Sequence, residues 1–487
     1  MDTFLEFIGS TERSKCGYCK NEQGEKKEEA LKKEGDSNTG TTSEGSDAPA
    51  EEAEETRNSS VTTGGAWAHQ MLTKDYAALL DMGWRRSGRY LYKPHNEVTC
   101  CPQYTIRLDV TRFKMSRTQK RVMRQMNEFL ATGKRPVCSE SVDDKPEVSK
   151  KKEQSSANRP TESCSSSLEP AIKKVKDADR PVLKKKEIRN AKFEEKCRKR
   201  NLNPEVIREQ RRQKEAARQR TIQSYIDEAK PEWKHKLEVK LVTSGTEEFS
   251  ARDNESFELY KKYQSTVHND ECRLIGFRRF LCDSPLKKET NNGVELGSFH
   301  MWFLLDEKLI AVCVVDVLPK CISAKYMYYD PDYSFLSMGT YTALREIHQT
   351  MQLNRISADL KYYYMGYYIH SCPKMRYKAK FHPSDLLCEQ SFKWLEFDAC
   401  RPLLDASTAP NGYAPFRPDC DRPAAMPVGD LMVLSNGLVT RLERALSRIP
   451  EAAEDEELKE KTRKIVNLIG PDMRSAVFYF EELNPNQ

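Results

Sequence analysis

The chain has 487 residues, 38% apolar and 32% charged, which is more than one hydrophobic core normally covers and implies two domains plus low-complexity sequence. A net charge of +6 against 80 basic and 74 acidic residues excludes any inference about partners from the total alone; what matters is where the charges sit. The longest uncharged apolar run, Leu309–Val315, falls far short of the ~20 residues that span a bilayer, and "MDTFLEFIGSTERSK" is acidic where a secretory leader is basic, so neither a membrane helix nor export is expected. Cytoplasm and nucleus are the expected locations, and the fifteen cysteines, an odd number, are expected as thiols or metal ligands, not disulfides.

In chain order, "KCGYCK" first places Cys16 and Cys19 in a C-x-x-C turn, the spacing at which two thiolates converge on one metal. From Asn21 to Arg57 twelve acidic residues face five basic ones, and no aromatic residue occurs between Lys20 and Trp67. Such sequence buries too little apolar surface to offset chain entropy, so residues 21–66 are read as a disordered acidic insertion. Folded sequence resumes at Trp67: "TKDYAALLDMG" is a short helix capped by Thr73 and stopped by Gly83, "WRRSGRYLY" a hairpin, and "YTIRLDV" a half-buried strand. Cys100 and Cys101 precede that strand. Adjacent cysteines on extended backbone point to opposite faces, so joint ligation needs a bend, which Pro102 helps to impose. Four thiolates suit tetrahedral zinc and an iron-sulfur cluster equally. "SRTQKRVMRQMNEFLATG" closes a small N-terminal α+β domain, residues 1–20 and 67–135, as an amphipathic helix.

Residues 136–183, rich in Ser, Lys, Glu and Pro, read as a disordered linker. A basic helical connector follows at 184–230. Between Lys184 and Arg220 it has fifteen basic and six acidic residues, with Asn203 and Pro204 suited to start a helix running to about Lys230. Lys184, Lys185, Lys186, Arg211 and Arg212 are its candidates for RNA phosphate contact, with a merely solvated face as the competing reading. "RPVLKKK" and "KCRKR" also have the composition of nuclear import sequence.

Residues 231–480 form a mixed α/β domain. "GSFHMWFLLDEKLIAVCVVDVLP" is a hairpin turning at Asp306-Glu307-Lys308, "CISAKYMYYDP" a third strand, "TYTALREIHQTM" a helix, and "KYYYMGYYIHSCPKMRYKAKF" begins as the next strand. Three antiparallel strands, a helix and a further strand make up the core order of GNAT-like acyltransferases, a fold likeness that does not fix function. Those that use CoA cradle its pyrophosphate on a Gly-rich turn. "SFLSMGTYTALRE" has a single glycine, so no CoA is expected.

The tyrosine-rich stretch holds six tyrosines and five Lys or Arg, which suits a site better than a core. Tyr363, Tyr364 and Tyr367 are candidates for ring stacking and oxyanion contact, against the plainer role of amphipathic packing. Lys374, Arg376 and Lys378, with Arg278 and Arg279 in "GFRRF", are candidate cations for an anionic substrate. His300 is a satisfied strand histidine, a contact for an acidic substrate or a general base, and His370 is open to the same readings. Ser14, beside the cysteine turn, is a candidate substrate contact.

Taken together, "CGYC", "CCPQYTIR", "LIGFRRFLCDSPL", "GSFHMWFLLDEKLIAV", "YYDPDYSFLSMGTYTALREI" and "YYYMGYYIHSCPKMRYKAKFHPSDLL" resemble the eukaryotic arginyl-tRNA–protein transferases over about residues 1–20, 67–133 and 230–400. The resemblance implies an enzyme that moves arginine from its tRNA onto the α-amine of proteins beginning with Asp, Glu or oxidised Cys, marking them for degradation. It implies arginyl-tRNA and such proteins as partners, a monomer, and a regulatory iron-sulfur or zinc site on Cys16, Cys19, Cys100 and Cys101. The acidic insertion and the linker depart from the family pattern. Two other readings compete: an acetyl-CoA-dependent N-acetyltransferase, and a non-enzymatic metal- and RNA-binding module.

Overall fold

The longest apolar stretch of the chain becomes the middle of a sheet. In the computed structural model, which describes residues 3–10, 14–18, 59–135, 185–217, 220–417 and 424–484, Val294–Leu305 and Lys308–Leu318 pair antiparallel through a two-residue turn. Asp306 and Glu307 both take positive φ there (48° and 68°), the turn whose twist matches that of the strands. Cys321–Tyr329 pairs antiparallel with Lys308–Leu318, and the long helix Met338–Ile356 then returns the chain so that Tyr362–Tyr368 lies parallel to Cys321–Tyr329. The expected three-strand, helix, strand order is present. Leu344 and Ile347 of that helix are fully buried against the sheet.

The sheet does not stop at the C-terminal block. Tyr104–Asp109 inserts between Tyr362–Tyr368 and Ser384–Leu387, antiparallel to both. Its interior position buries Thr105 as well as Ile106 and Leu108, so it is more deeply covered than the half-buried strand its alternation suggests. Leu237–Thr243 and Trp394–Glu396 form the two edges.

A second sheet, seven strands among the described residues, has Phe4–Gly9 at its centre, parallel to Val477–Tyr479 and antiparallel to Thr62–Gln70. The strand at Thr62 corrects the end of the acidic insertion, which was read as reaching residue 66. "TTGG" looks unstructured, yet its glycines are required: a β-carbon on Gly65 would lie 2.4 Å from the Tyr90 hydroxyl, and one on Gly64 would lie 3.0 Å from the Trp84 ring. Helix Arg117–Thr132, expected as amphipathic, starts with a capping box, Ser116 with Gln119, and ends at Gly133 in the left-handed conformation.

Residues 1–136 with 221–487 cluster as one unit, and 137–220 as another. Within the second, the connector is two helices, Lys185–Lys199 and Pro204–Ala217, with Asn203 Oδ1 accepting from the Glu205 amide at 2.9 Å. The expected run to Lys230 does not occur, because Thr221 caps a fresh helix, Ile222–Ile226, by accepting from the Ser224 amide at 3.1 Å. The linker reading of 136–183 and most of the acidic insertion lie outside the described residues.

Candidate functional site

The two cysteine motifs meet. The Sγ atoms of Cys16, Cys100 and Cys101 lie within 4.8 Å of one another, and Cys16 and Cys101 are buried. Adjacent cysteines converge because their loop is bent and clamped: Asn411 Nδ2 donates to the carbonyls of Asn96 and Thr99 at 3.0 and 2.8 Å, and Asn96 Oδ1 accepts from the Gln103 amide at 2.7 Å. Three close thiols can hold a soft or borderline metal ion. Cys19 lies outside the described residues. Ile369 and Cys372, just past the tyrosine strand, pack on these thiols, as do Tyr18 and Met375. Burial, with Tyr92 and the Cys16, Cys372 and Cys101 thiols nearby, pushes the Tyr18 hydroxyl well up.

The tyrosine strand also carries a defect. Pairing with Cys321–Tyr329 is limited to Cys321–Tyr362, Ile322–Tyr363 and Ser323–Tyr364, after which the two parallel strands part. On one side Lys325 is an extra residue between the Val315–Ala324 and Val314–Tyr326 pairs; on the other Gly366 turns out at φ 73°. Parting leaves strand carbonyls without ladder partners, and cations take them. Lys378 Nζ donates to Tyr367 O at 2.8 Å, and Arg85 Nη2 donates to Gly366 O at 3.4 Å, its guanidinium 5.0 Å from the Tyr367 ring centre. Arg85 Nε is a buried donor without an acceptor among the described residues.

This crowding of cations moves their proton equilibria. Burial, and then the positive charge of Arg85, lowers the Lys378 amine to about 7. Burial and Arg86 hold the Lys325 amine well below the usual lysine range, and its Nζ donates to Phe280 O. Both lysines are half-buried at the parting of the strands. Behind the strand, burial raises the Glu346 carboxyl to about 7, while its Oε2 accepts from the Tyr363 hydroxyl at 2.6 Å.

The remaining expected residues fall in different places. His300 is fully buried; Nε2 lies 3.2 Å from Leu281 O, its ring packs edge-on to Phe249, and burial lowers it to about 3. Nδ1 is buried with no hydrogen-bond partner among the described residues, so this is a half-satisfied strand histidine and not an accessible base. The candidate tyrosine hydroxyls are all engaged: Tyr363 on Glu346, Tyr364 on Asp81 at 2.5 Å and Tyr367 on Gly83 O at 3.1 Å. They shape the cleft, and an oxyanion role would require breaking these bonds. His370 bridges the Tyr368 hydroxyl and Asp405. Arg278 is held by Asp253 at 2.5 Å, while Arg279, Lys374 and Arg376 are exposed.

Ser14 pairs with Ser60 across a two-residue strand beside the cysteine turn. Lys185, Lys186, Arg211 and Arg212 lie in the two connector helices, Arg211 stacking 4.7 Å from the Phe193 ring centre; Lys184 is outside the described residues. Sequence reasoning missed Arg85, Arg86, Lys325 and Glu346. The one available signal was "RR" inside the "WRRSGRYLY" hairpin.

A splayed pair of parallel strands with low-affinity amines at the parting, next to a thiol cluster, has the features of an acyl-transferring enzyme. Residues 14–121 match the family profile described as "Arginine-tRNA-protein transferase, N terminus", and residues 255–388 match "Arginine-tRNA-protein transferase, C terminus". The chain is 36% identical over 390 residues to arginyl-tRNA–protein transferase 1 of Drosophila melanogaster, covering 70% of this chain and 79% of that one. It is 33% identical to arginyl-tRNA–protein transferase 2 of Arabidopsis thaliana, covering 70% and 72%. An aspartate/glutamate leucyltransferase of Campylobacter jejuni is 31% identical over 137 residues, 28% of this chain and 53% of that one. The chain belongs to the arginyl-tRNA–protein transferase family.

Proposed function

We propose that this chain transfers arginine from arginyl-tRNA to the N-terminal α-amine of proteins beginning with Asp, Glu or oxidised Cys, marking them for ubiquitin-dependent degradation. The observation that carries the reading is the 36% identity to the Drosophila arginyltransferase. The match is to transferases named for arginyl-tRNA, which favours that donor over acetyl-CoA. No helix among the described residues is long and apolar enough to cross a membrane.

The chemistry asks little of the protein. The aminoacyl ester is already activated, so the enzyme must hold a neutral amine against the ester carbonyl and steady the oxyanion that forms. The amine nitrogen attacks the carbonyl carbon, the tetrahedral intermediate expels the terminal ribose oxygen, and the proton lost by nitrogen goes by way of a base to that oxygen. Lys378, lowered to about 7, is suited to this shuttle, with Lys325, also held below the usual lysine range by burial, as a second amine at the parting. Arg85, whose Nε lacks an acceptor among the described residues, is suited to the acidic side chain of the acceptor protein, with Lys374 and Arg376 at the rim. Cys16, Cys19, Cys100 and Cys101 are assigned to zinc or an iron-sulfur cluster with a regulatory role. Thiolates accept either, and the packing of Ile369 and Cys372 on the thiols gives such a centre a route to the cleft.

Supplying the purified protein with either charged tRNA or acetyl-CoA, and an acceptor peptide beginning with Asp, tests the donor. Arginylation without acetylation is expected. Acetylation alone would return the chain to the CoA-dependent class.

A further inference from the structure

A cavity of about 680 Å³ opens at the Tyr362 end of the tyrosine strand, within the ~300–1,000 Å³ typical of small-molecule sites. Four residues, roughly 13 Å of strand, separate Tyr362 from the Gly366 bulge. Asp81, Arg107, Lys361, Tyr362, Phe392 and Trp394 stand on its wall. The Arg107 guanidinium is sandwiched 3.8 Å from the Tyr362 ring centre and 4.0 Å from that of Trp394, with Asp385 Oδ2 3.4 Å from its Nε. That cation is already satisfied.

Two other charged groups are not. Asp81 is fixed through Oδ1, which accepts from the Tyr364 hydroxyl at 2.5 Å and the Trp394 indole at 3.2 Å, leaving Oδ2 without a partner among the described residues. Lys361 Nζ has only the Tyr362 ring, 5.4 Å away, among the described residues. One pre-oriented carboxylate oxygen and one amine therefore face the same space.

The local field favours a cation at the carboxylate. Three helices end on the wall: Thr73–Asp81, Met338–Ile356 followed by Ser357, and Glu456–Ile469 followed by Gly470. Each presents carbonyls carrying about half a negative charge in sum. Asp81, Asp359 and Asp472 balance Arg107, Lys320 and Lys361 in number, so the helix ends tip the field at the carboxylate. Phe392, at φ 53°, closes the tight turn between Ser384–Leu387 and Trp394–Glu396, its amide donating to Cys388 O at 2.8 Å, and stands on the cavity wall.

We propose that this cavity is a second ligand site, separate from the transfer cleft, for a free cationic amino acid. Its side-chain guanidinium or ammonium meets Asp81 Oδ2 and the helix C-termini, and its carboxylate meets Lys361. The site has its own donors and acceptors and shares no charged residue with the parting of the strands.

Isothermal titration of the full chain with L-arginine, L-lysine and L-norleucine tests this. Arginine and lysine should bind and norleucine, which lacks the side-chain cation, should not. Lys361→Ala and Asp81→Asn should each weaken binding by about tenfold or more, and Asp81→Asn keeps an acceptor for Tyr364 and Trp394, so folding is preserved. Lys378→Ala should leave binding intact. Absence of arginine binding overturns the proposal, as does norleucine binding equally well. Binding that survives Lys361→Ala and Asp81→Asn but is lost in Lys378→Ala also overturns it, by placing the arginine in the transfer cleft.

Discussion

Lys378 Nζ donates to the main-chain oxygen of Tyr367 at 2.8 Å, and so replaces a strand that has turned away. The same bond keeps the amine half-buried and beside Arg85, which is why it sits near 7. Replacing Lys378 with Met should lower arginyl transfer by about a hundredfold or more while moving Tm by no more than about 2 °C. Unchanged turnover would remove Lys378 from the chemistry.

The pH dependence has a definite sign. Transfer should rise as pH passes through about 7, because the amine must be neutral to accept a proton. Stability responds in the same direction: the unfolded chain keeps this proton up to about 10.4, so folding gains between about 7 and 10.4 and loses that gain as pH falls. Lys378→Met should flatten both slopes, measured as kcat against pH and as Tm against pH.

Glu346 works the other way. Its carboxyl is raised to about 7 by burial, so between about 4.3 and 7 the folded protein holds a proton the unfolded chain has released. That contribution is lost as pH rises through 7. Glu346→Gln keeps an acceptor for Tyr363 and should raise Tm at pH 8 by about 1–3 °C, with little change at pH 5. An equal shift at both values would contradict a buried, protonatable carboxyl.

Arg86 is fully buried and grips Asp316 through two bonds, at 2.8 and 2.6 Å, with Ser298 at 2.9 Å. Asp316→Ala strands a guanidinium in the interior and should cost about 3–5 kcal/mol in a denaturation experiment. Ser298→Ala should cost about 1 kcal/mol. Similar small losses in both variants would mean that water reaches the pair.

This pair also shows what the sequence could and could not disclose. Val294–Leu318 is legible as a hairpin because its apolar run and its turn are local, and the C-x-x-C and Cys-Cys pairs are legible because ligand spacing is local. Arg86 and Asp316 are 230 positions apart, and nothing near either one announces the other. Phe4–Gly9 is a strand because Val477–Tyr479 comes back beside it, again a long-range fact. The tyrosines were legible as a special stretch but not in role. Whether a hydroxyl is open or already donating depends on Asp81, Glu346 and Gly83, which only folding brings to it.

Cys16→Ser should reduce bound metal to a small fraction of the wild-type content by elemental analysis, since three close thiols become two. Full retention would sink the shared site. Cys272→Ser, at a cysteine outside the cluster, should retain wild-type metal and serves as the control.

The central claim is tested most directly by following labelled arginine from charged tRNA to two peptides that differ only in an N-terminal Asp or Ala. Label on the Asp peptide alone is the predicted result. Label on neither peptide, from protein with its cysteine site loaded, would contradict arginyl transfer, and equal label on both would contradict recognition of an acidic N-terminus.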